Sequence, residues 1–271
     1  MDDERDLSFV PIENSNPRLL NPEQIDCYNR EGYVKPFRVF DDEGVKANRD
    51  YFDSLMAQIE AADDERDQYS MNGYHKHCRG LYDLVKTPAI LDHVEDLLGP
   101  NFLCWGTHFF CKAPHDEKKV PWHQDASYWP FDKSRTVTVW LAIDDADEEN
   151  AAMQFIPGTH TMGHLDWKTP DEPAVLWQEI SDVESYGEPV FDSLKAGEMS
   201  LHADMLAHGS TANNSSRRRC GLTMRYCPVE VKPLEERWGQ ISILCRGEDN
   251  TGNWKHLDRP ESDVIPDVSK A

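Results

Sequence analysis

The chain has 271 residues, of which 39% are hydrophobic and 10% aromatic, a composition that supplies a substantial core. Its 50 acidic residues outnumber the 28 basic residues and give a net charge of -22. This balance argues against nucleic acid or a membrane surface as a partner, because both attract basic patches. The length suits one large domain or two small ones, and we expect a single domain over residues 1–271.

The seven cysteines contain no CxxC pair, so we expect reduced thiols in a cytoplasmic protein. The acidic N-terminus has no apolar run of the kind found in signal peptides. No segment approaches the roughly 20 apolar residues that a membrane-spanning helix needs. No pattern in the chain predicts its oligomeric state.

The first hundred residues predict an arm followed by a group of helices. Asn21 suits a helix cap with Pro22 at the first helical position, and Pro36 is expected to interrupt the strand that begins at Tyr33. Residues 21–100 should form a helical buttress. The predicted segments are an arm over 1–20, a helix over 22–30, a strand at 33–34, a helix over 42–63, a polar loop over 65–80 and a helix over 87–98.

Residues 101–230 change to a pattern of short strands separated by glycine and proline. The predicted strands are 102–112, 120–124, 136–143, 153–156, 190–191, 199–202 and 220–229. This spacing favours a mainly β fold, a sandwich or jelly roll, with the helices packed against one sheet. Residues 161–189 are expected to be a polar insert, and residues 246–271 a loose acidic tail.

The candidate site starts from His123 and Asp125, which stand two residues apart. On a strand, residues i and i+2 point to the same side, so the imidazole and the carboxylate would face one place. With the distant His208, they match the two-histidine, one-carboxylate set of non-haem iron(II) oxygenases. The alternatives from these residues alone are a buried hydrogen-bonded pair and a structural zinc site.

Arg219 follows His208 by eleven residues, a spacing that fits a strand, a turn over 211–216 and a return strand. The return strand would bring Arg219 beside His208, where its planar guanidinium suits a small dicarboxylate. Arg217 and Arg218 compete for this role because the three arginines are consecutive. We favour Arg219, which directly precedes an apolar strand.

Several motifs together resemble the phytanoyl-CoA dioxygenase family. The resemblance covers about residues 20–230. The motifs that carry it are Trp122-His123-Gln124-Asp125-x-x-Tyr128-Trp129, Val139-Trp140-Leu141-Ala142, Glu149-Asn150-x-x-Met153-x-Phe155-Ile156-Pro157-Gly158-Thr159-His160, and His208-Gly209-Ser210 through Arg219. It implies a double-stranded β-helix (a cupin-like jelly roll) and an oxygenase that uses Fe(II), 2-oxoglutarate and O2.

The resemblance also implies roles for individual residues. His123, Asp125 and His208 become the iron ligands. Arg219 becomes the partner of the distal 2-oxoglutarate carboxylate, assisted by Ser210, with Trp140 packed beside the cosubstrate. Halogenating relatives carry Ala or Gly in place of the carboxylate ligand, so the retained Asp125 favours hydroxylation.

The implied reaction is hydroxylation of a small metabolite or natural-product intermediate, with release of succinate and CO2. Desaturation, epoxidation or cyclisation by the same chemistry is the alternative within enzymes. A non-catalytic cupin-like protein that binds a metal or ligand is the alternative of another class.

Candidate substrate-binding residues are Lys112, Tyr128, Trp129 and His202. Lys112 shares strand parity with His108, so it either points inward or reaches solvent at the strand end. The aromatic pair would line the pocket or belong to the core, and His202 would contact substrate or be a hydrogen-bonded core histidine. The polar loop around His75 would be either a lid or a solvated loop.

Overall fold

A computed structural model describes residues 5–171 and 174–267. The outer ends of the predicted arm and tail, residues 1–4 and 268–271, lie outside this range. Two antiparallel sheets with four helices form the jelly roll that the sequence predicts. The six-stranded sheet has the order β1-β9-β4-β11-β2-β12, and the four-stranded sheet has the order β3-β10-β5-β8.

The twelve described strands are β1 (Tyr33–Arg38), β2 (Phe102–Lys112), β3 (Val120–His123), β4 (Val137–Ala142), β5 (Gln154–Phe155), β6 (Trp167–Lys168), β7 (Glu179–Ile180), β8 (Val190–Phe191), β9 (Glu198–Ala203), β10 (His208–Ser210), β11 (Arg219–Pro228) and β12 (Ile243–Arg246). Strands β6 and β7 form a separate hairpin within the predicted insert.

The helices are α1 (Pro22–Glu31), α2 (Asp42–Ala62), α3 (Arg79–Val85) and α4 (Pro88–Leu98). Asn21 and Gln24 form a capping box at the start of α1, and Gly32 ends that helix in the left-handed conformation, so its free backbone groups are satisfied. The apolar residues of α2 recur at helical spacing and are buried on one face, as an amphipathic helix requires.

The six-stranded sheet has an apolar outer face and a polar inner face. Along β11, Cys220, Leu222 and Met224 belong to the core that the helices cover. The alternating positions Arg219, Gly221, Thr223 and Arg225 face the other sheet, because successive strand residues point to opposite sides. The helical buttress therefore covers the outer face and leaves the inner face for the cavity between the sheets.

Three local expectations are wrong. Strand β1 continues through Pro36 to Arg38, because it is an edge strand and its pairing with β9 shifts register between Val34 and Phe37. Helix α3 occupies the end of the predicted polar loop and the residues after it. The described part of the tail is packed: the indole of Trp254 is buried and donates to the Val231 carbonyl.

Among the described residues, no helix combines the length and apolar character needed to cross a membrane.

Candidate active site

Two histidines and one aspartate converge between the two sheets. His123 ends β3 and pairs directly with His208 at the start of β10, and their ring centroids are 4.1 Å apart. Asp125 lies on the 3-10 turn that follows β3, with Oδ1 3.6 Å from His123 Nε2. One ligand atom from each of the three buried residues lies within 4.8 Å of the others.

Strand β3 ends at His123, and Asp125 is the first residue of the turn over Asp125–Tyr128. Gln124 between them keeps an extended backbone, with φ -110° and ψ 123°. The two side chains therefore point to the same side, as the i, i+2 spacing predicts.

The hydrogen bonds of the two histidines leave the same ring nitrogen free. His123 Nδ1 lies 2.8 Å from the Pro121 carbonyl, and His208 Nδ1 lies 2.9 Å from the Leu206 carbonyl. Since a carbonyl only accepts, both Nδ1 atoms carry a proton and both Nε2 atoms keep a lone pair. Thr138 Oγ1 donates to Asp125 Oδ2 at 3.3 Å and leaves Oδ1 toward the histidines.

The electrostatics of the site agree with this donor set. Burial and repulsion from His123 hold the pKa of His208 well below its ordinary value. Burial alone would raise the pKa of Asp125, but interactions with the histidines and Arg225 outweigh burial and lower it. The site therefore presents two imidazole Nε2 atoms and one carboxylate, which are ligands suited to a divalent first-row metal.

Arg219 lies deep in the cavity and is held on several sides. Its Nη2 donates to Ser210 Oγ at 3.1 Å, and its Nε donates to the Ala151 carbonyl at 3.1 Å. The guanidinium carbon lies 5.7 Å from the Trp140 ring centroid. Beneath the indole, a Cβ on Gly221 would lie 2.0 Å from Trp140 Cζ2, so this glycine allows the ring to cross β11.

The three consecutive arginines separate as the sequence predicts. Arg217 pairs with Asp147 and Glu149 at the surface, and Arg218 pairs with Asp144 and Asp53. Arg219 alone of the three points into the cavity, because it begins β11 and alternates inward.

The predicted hairpin between His208 and Arg219 does not exist. Strand β10 pairs with β3 and β5, whereas β11 pairs with β2 and β4 in the opposite sheet. The segment after Ser210 crosses between the sheets. Arg219 therefore reaches the histidine side across the space between them.

Two adjoining cavities meet at the triad. The smaller has a volume of about 400 Å³ and is lined by Trp140, His202, Ser210 and Arg219. The larger is about 1330 Å³, open to solvent, and has an aromatic wall that includes Trp105, Tyr128, Trp129 and Trp238. Four residues border both cavities: Phe110, His123, Asp125 and Arg225.

Three of the four candidate substrate residues line these cavities. The Tyr128 ring lies 5.9 Å from the His123 ring at the larger cavity, where Trp129 is also found. His202 borders the smaller cavity 4.9 Å from the His208 ring. The interpretation of His202 as a hydrogen-bonded core histidine is wrong, since neither ring nitrogen has a partner among the described residues.

Lys112 and His75 lie elsewhere than expected. Lys112 is fully buried opposite Arg219, but its Nζ donates to the Lys118 carbonyl at 2.5 Å. Lys112 therefore points inward, and the alternative that it reaches solvent is wrong. It borders neither cavity, so a contact with substrate stays a prediction. His75 is buried in the wall of the larger cavity and bonds Thr107 Oγ1 and the Ile241 carbonyl, which excludes a solvated loop at this residue.

Sequence reasoning missed Arg225, because the strand that contains it was treated as uniformly apolar. Arg225 is 8% exposed and shares the inward parity of Arg219, six residues earlier. Its guanidinium carbon lies 5.3 Å from the Trp129 ring centroid and 5.7 Å from that of Trp105. Strand parity counted from Arg219 would have identified it.

Comparison with known proteins gives a consistent result. The model of the phytanoyl-CoA dioxygenase (PhyH) family matches residues 28–221. Peroxisomal phytanoyl-CoA dioxygenase of Bos taurus is 28% identical over 165 residues, which are 57% of this chain and 48% of that protein. A probable alpha-ketoglutarate-dependent hypophosphite dioxygenase of Stutzerimonas stutzeri is 28% identical over 167 residues, 59% of this chain and 57% of that protein. The chain thus spans about half the length of these curated relatives.

A solved structure extends the likeness to the whole fold. The apo form of the non-heme monooxygenase ThoJ superposes with a TM-score of 0.75 and 27% sequence identity. The superposition covers 90% of each chain, so the similarity includes the helices as well as the two sheets.

Proposed function

The chain belongs to the phytanoyl-CoA dioxygenase family, and from that premise we propose that it is an Fe(II)- and 2-oxoglutarate-dependent dioxygenase that hydroxylates a small metabolite. The observation that carries the proposal is the buried set of His123, Asp125 and His208 next to Arg219. The balanced reaction converts a C–H bond, 2-oxoglutarate and O2 into the C–OH product, succinate and CO2.

The residues fit an iron ion by the chemistry of their donor atoms. His123 and His208 would bind through Nε2, and Asp125 through Oδ1, because the other polar atom of each already has a partner. Three protein ligands leave positions for a cosubstrate and oxygen. When bound, Fe(II) supplies the coupled oxidation of 2-oxoglutarate and of the substrate by O2.

Arg219, Ser210 and Trp140 would bind the distal carboxylate of 2-oxoglutarate. Arg219 Nε, Nη1 and Nη2 each donate to a protein oxygen, which fixes the plane of the guanidinium. Two of its five N–H groups remain for the carboxylate. The Trp140 ring lies beside the guanidinium and excludes water from the ion pair. Burial of this kind strengthens a charge-assisted hydrogen bond.

Tyr128, Trp129 and His202 would contact the substrate or the groups adjacent to it. The first two belong to the larger cavity, which opens to solvent and is the route by which substrate reaches the triad. His202 is kept neutral, because burial lowers its pKa to about 4. A neutral, unpartnered imidazole beside the triad can donate or accept one hydrogen bond.

The retained Asp125 favours hydroxylation over halogenation, since the carboxylate occupies the position that halogenating relatives leave open. Desaturation, epoxidation and cyclisation would use the same residues, and mass spectrometry of the product separates them: hydroxylation adds one oxygen atom.

The experiment that tests the proposal is release of succinate from 2-oxoglutarate. Protein loaded with Fe(II) under anaerobic conditions is exposed to O2 and a metabolite panel, and succinate is quantified. His208→Ala should form none above background. Equal turnover by both proteins, or absence of iron binding by the wild type, would refute the proposal and leave the cupin-like binding protein.

A further inference from the structure

Arg225 is a buried cation that donates no hydrogen bond to a described residue, although the charge of Asp125 acts on it. Only 8% of the residue is exposed, and its Nε is completely buried with nothing to bond. Within residues 5–171 and 174–267, its guanidinium makes no hydrogen bond and no ion pair. An arginine placed in this way is costly, because burial removes hydration that no protein acceptor replaces.

The surroundings of Arg225 supply further hydrogen-bond donors, and Asp125 is the carboxylate whose charge reaches it. The indole N–H groups of Trp105 and Trp238 are buried without partners, and the two rings pack 5.5 Å apart in the wall of the larger cavity. Among the described residues that line this cavity, the only carboxylate is Asp125, while the cations Lys76 and Arg237 are exposed at its edge.

The histidines in the wall of the larger cavity do not supply a charge or a free acceptor for Arg225. Burial lowers the pKa of both His75 and His108 to about 4, so they are neutral near pH 7. His75 uses both ring nitrogens within the protein, and His108 Nε2 bonds the Tyr69 carbonyl at 2.8 Å. Arg225 is therefore the one deep cation that the described wall presents to a ligand.

We propose that Arg225 binds an oxyanion of the substrate, a carboxylate or phosphate group, and so selects acidic small molecules for oxidation. This inference deepens the proposed function and rests on it. A planar guanidinium with free N–H groups matches such a group in two hydrogen bonds. The faces of Trp105 and Trp129 hold the guanidinium in place, since its carbon lies 5.7 and 5.3 Å from their centroids.

The fold places this site next to the reacting centre. Arg225 pairs across the sheet with Thr138, whose hydroxyl donates to Asp125. Pairing with β2 then shifts register between Arg225 and Tyr226, and Trp105 has no partner in β11. Such a bulge redirects a side chain, here placing Trp105 beside the guanidinium. An acid bound to Arg225 would hold its attached carbon atoms toward the triad.

The test measures binding without turnover. The full chain is loaded with Mn(II) and saturating 2-oxoglutarate, and loading is verified by calorimetry. Two matched pairs of probes are then titrated: benzoate against benzamide, and phenyl phosphate against phenol. Tryptophan fluorescence is the readout, because Trp105, Trp129 and Trp238 line the cavity.

We expect at least one anionic probe to bind about 10- to 100-fold more tightly than its neutral counterpart, the range of a charge-assisted hydrogen bond. The pair of probes that shows this difference in affinity indicates whether Arg225 prefers a carboxylate or a phosphate. Arg225→Gln should reduce the preference to less than about 3-fold. Arg225→Lys, which keeps the charge but loses the planar fork, should retain part of it and serves if the glutamine variant does not fold.

Arg237→Gln is the matched control in the same cavity. The Arg237 side chain is 78% exposed and already pairs with Glu235 at 2.8 Å, so its loss should change probe binding less than about 3-fold. The inference is overturned if no anion binds better than its neutral counterpart, if no probe binds, or if the preference survives in Arg225→Gln. Failure to load Mn(II) and 2-oxoglutarate would instead refute the proposed function.

Discussion

Arg219 and Arg225 occupy the same face of one strand, yet they are held in opposite ways. Arg219 is enclosed by Ser210, two backbone carbonyls and the face of Trp140. Arg225 lies between two indoles and donates to no described residue. A guanidinium fixed by protein oxygens suits one invariant ligand, such as a cosubstrate. A guanidinium left without partners gains most from the ligand that supplies the missing oxygens.

The cavities around the two arginines repeat this contrast. The smaller one is lined closely by both sheets and has the Arg219 guanidinium in its wall. The larger one is open and aromatic, which suits a substrate that varies between relatives of one fold. The predictions below test whether the two arginines are as distinct as their contacts indicate.

The largest effect should come from the triad, of which His123 and Asp125 border both cavities. His208→Ala removes one of three metal ligands, and we expect loss of metal binding and a fall in succinate formation of at least about 1000-fold. Metal content after dialysis and succinate release measure the two effects. His115→Ala, at an exposed loop position, is the control and should retain both. Metal retention by His208→Ala would show that His208 is not a ligand.

The next effect separates the arginines by their response to 2-oxoglutarate. Arg219→Ala should raise the apparent 2-oxoglutarate constant about 100-fold, because a charge-assisted contact to the distal carboxylate is lost. Arg217→Ala, which only breaks surface ion pairs, should change it less than about 3-fold. Initial rates of succinate formation at varied 2-oxoglutarate provide the constants. If Arg217→Ala had the larger effect, Arg217 and not Arg219 would be the residue that binds 2-oxoglutarate, and our assignment of β11 would be wrong.

A matched pair of glycines compares the space beneath the two sites. In Gly221→Ala, the new Cβ would lie 2.0 Å from Trp140 Cζ2, so the indole must move. We expect a loss of about 1–3 kcal/mol in the free energy of unfolding and weaker 2-oxoglutarate binding. In Gly106→Ala, the Cβ would meet Arg225 Cδ at an ordinary 3.6 Å, with a change within about 0.5 kcal/mol. Urea unfolding of both variants measures the two changes in the free energy of unfolding. Equal losses in the two variants would contradict the predicted difference between the sites.

The smallest effect concerns Lys112, the buried cation opposite Arg219. Burial, followed by repulsion from Arg219, lowers its pKa to about 7, whereas an unfolded lysine titrates near 10.4. Between these values the unfolded chain binds the extra proton, so Lys112 makes stability rise with pH by up to about 1.4 kcal/mol per unit. Lys112→Met should therefore show a smaller rise than the wild type in urea unfolding at pH 7, 8 and 9.

The control for Lys112 is Lys46→Met on the exposed face of α2, which should keep the wild-type slope. An unchanged slope in Lys112→Met would mean that the buried amine does not titrate in this window.

The sequence was sufficient for most of the fold, because local signals and packing agree there. The helix at Pro22 carries its own capping box, and the helices at Pro22 and Pro88 both start with proline and bury apolar residues. Strand β2 was predicted with its observed bounds. The short helix α3 was missed because its seven residues include Gly80 and leave only Leu81 and Val85 buried, too short a pattern to identify a helix. The packed tail was missed because its contacts, such as that of Trp254, are made to distant parts of the chain.

The candidate site shows the same division between local and distant information. The motif around His123 identified the residues that converge, but spacing could not show that Asp125 lies on a turn. It also could not show that β10 and β11 belong to opposite sheets. Whether His202 had hydrogen-bond partners depended on side chains from other strands. The inward direction of Arg225, by contrast, could have been predicted from strand alternation counted from Arg219.

The six-residue interval between Arg219 and Arg225 has a geometric consequence. At about 3.3 Å per residue, one rigid strand sets the two Cα atoms about 20 Å apart. The acidic group of the substrate at Arg225 and that of the cosubstrate at Arg219 would then be held at a fixed separation. That separation is set by a strand and not by flexible loops. Among acids of similar chemistry, this fixed separation would select substrates by their length. It would favour the molecule whose oxidised carbon lies at the triad, between the two arginines.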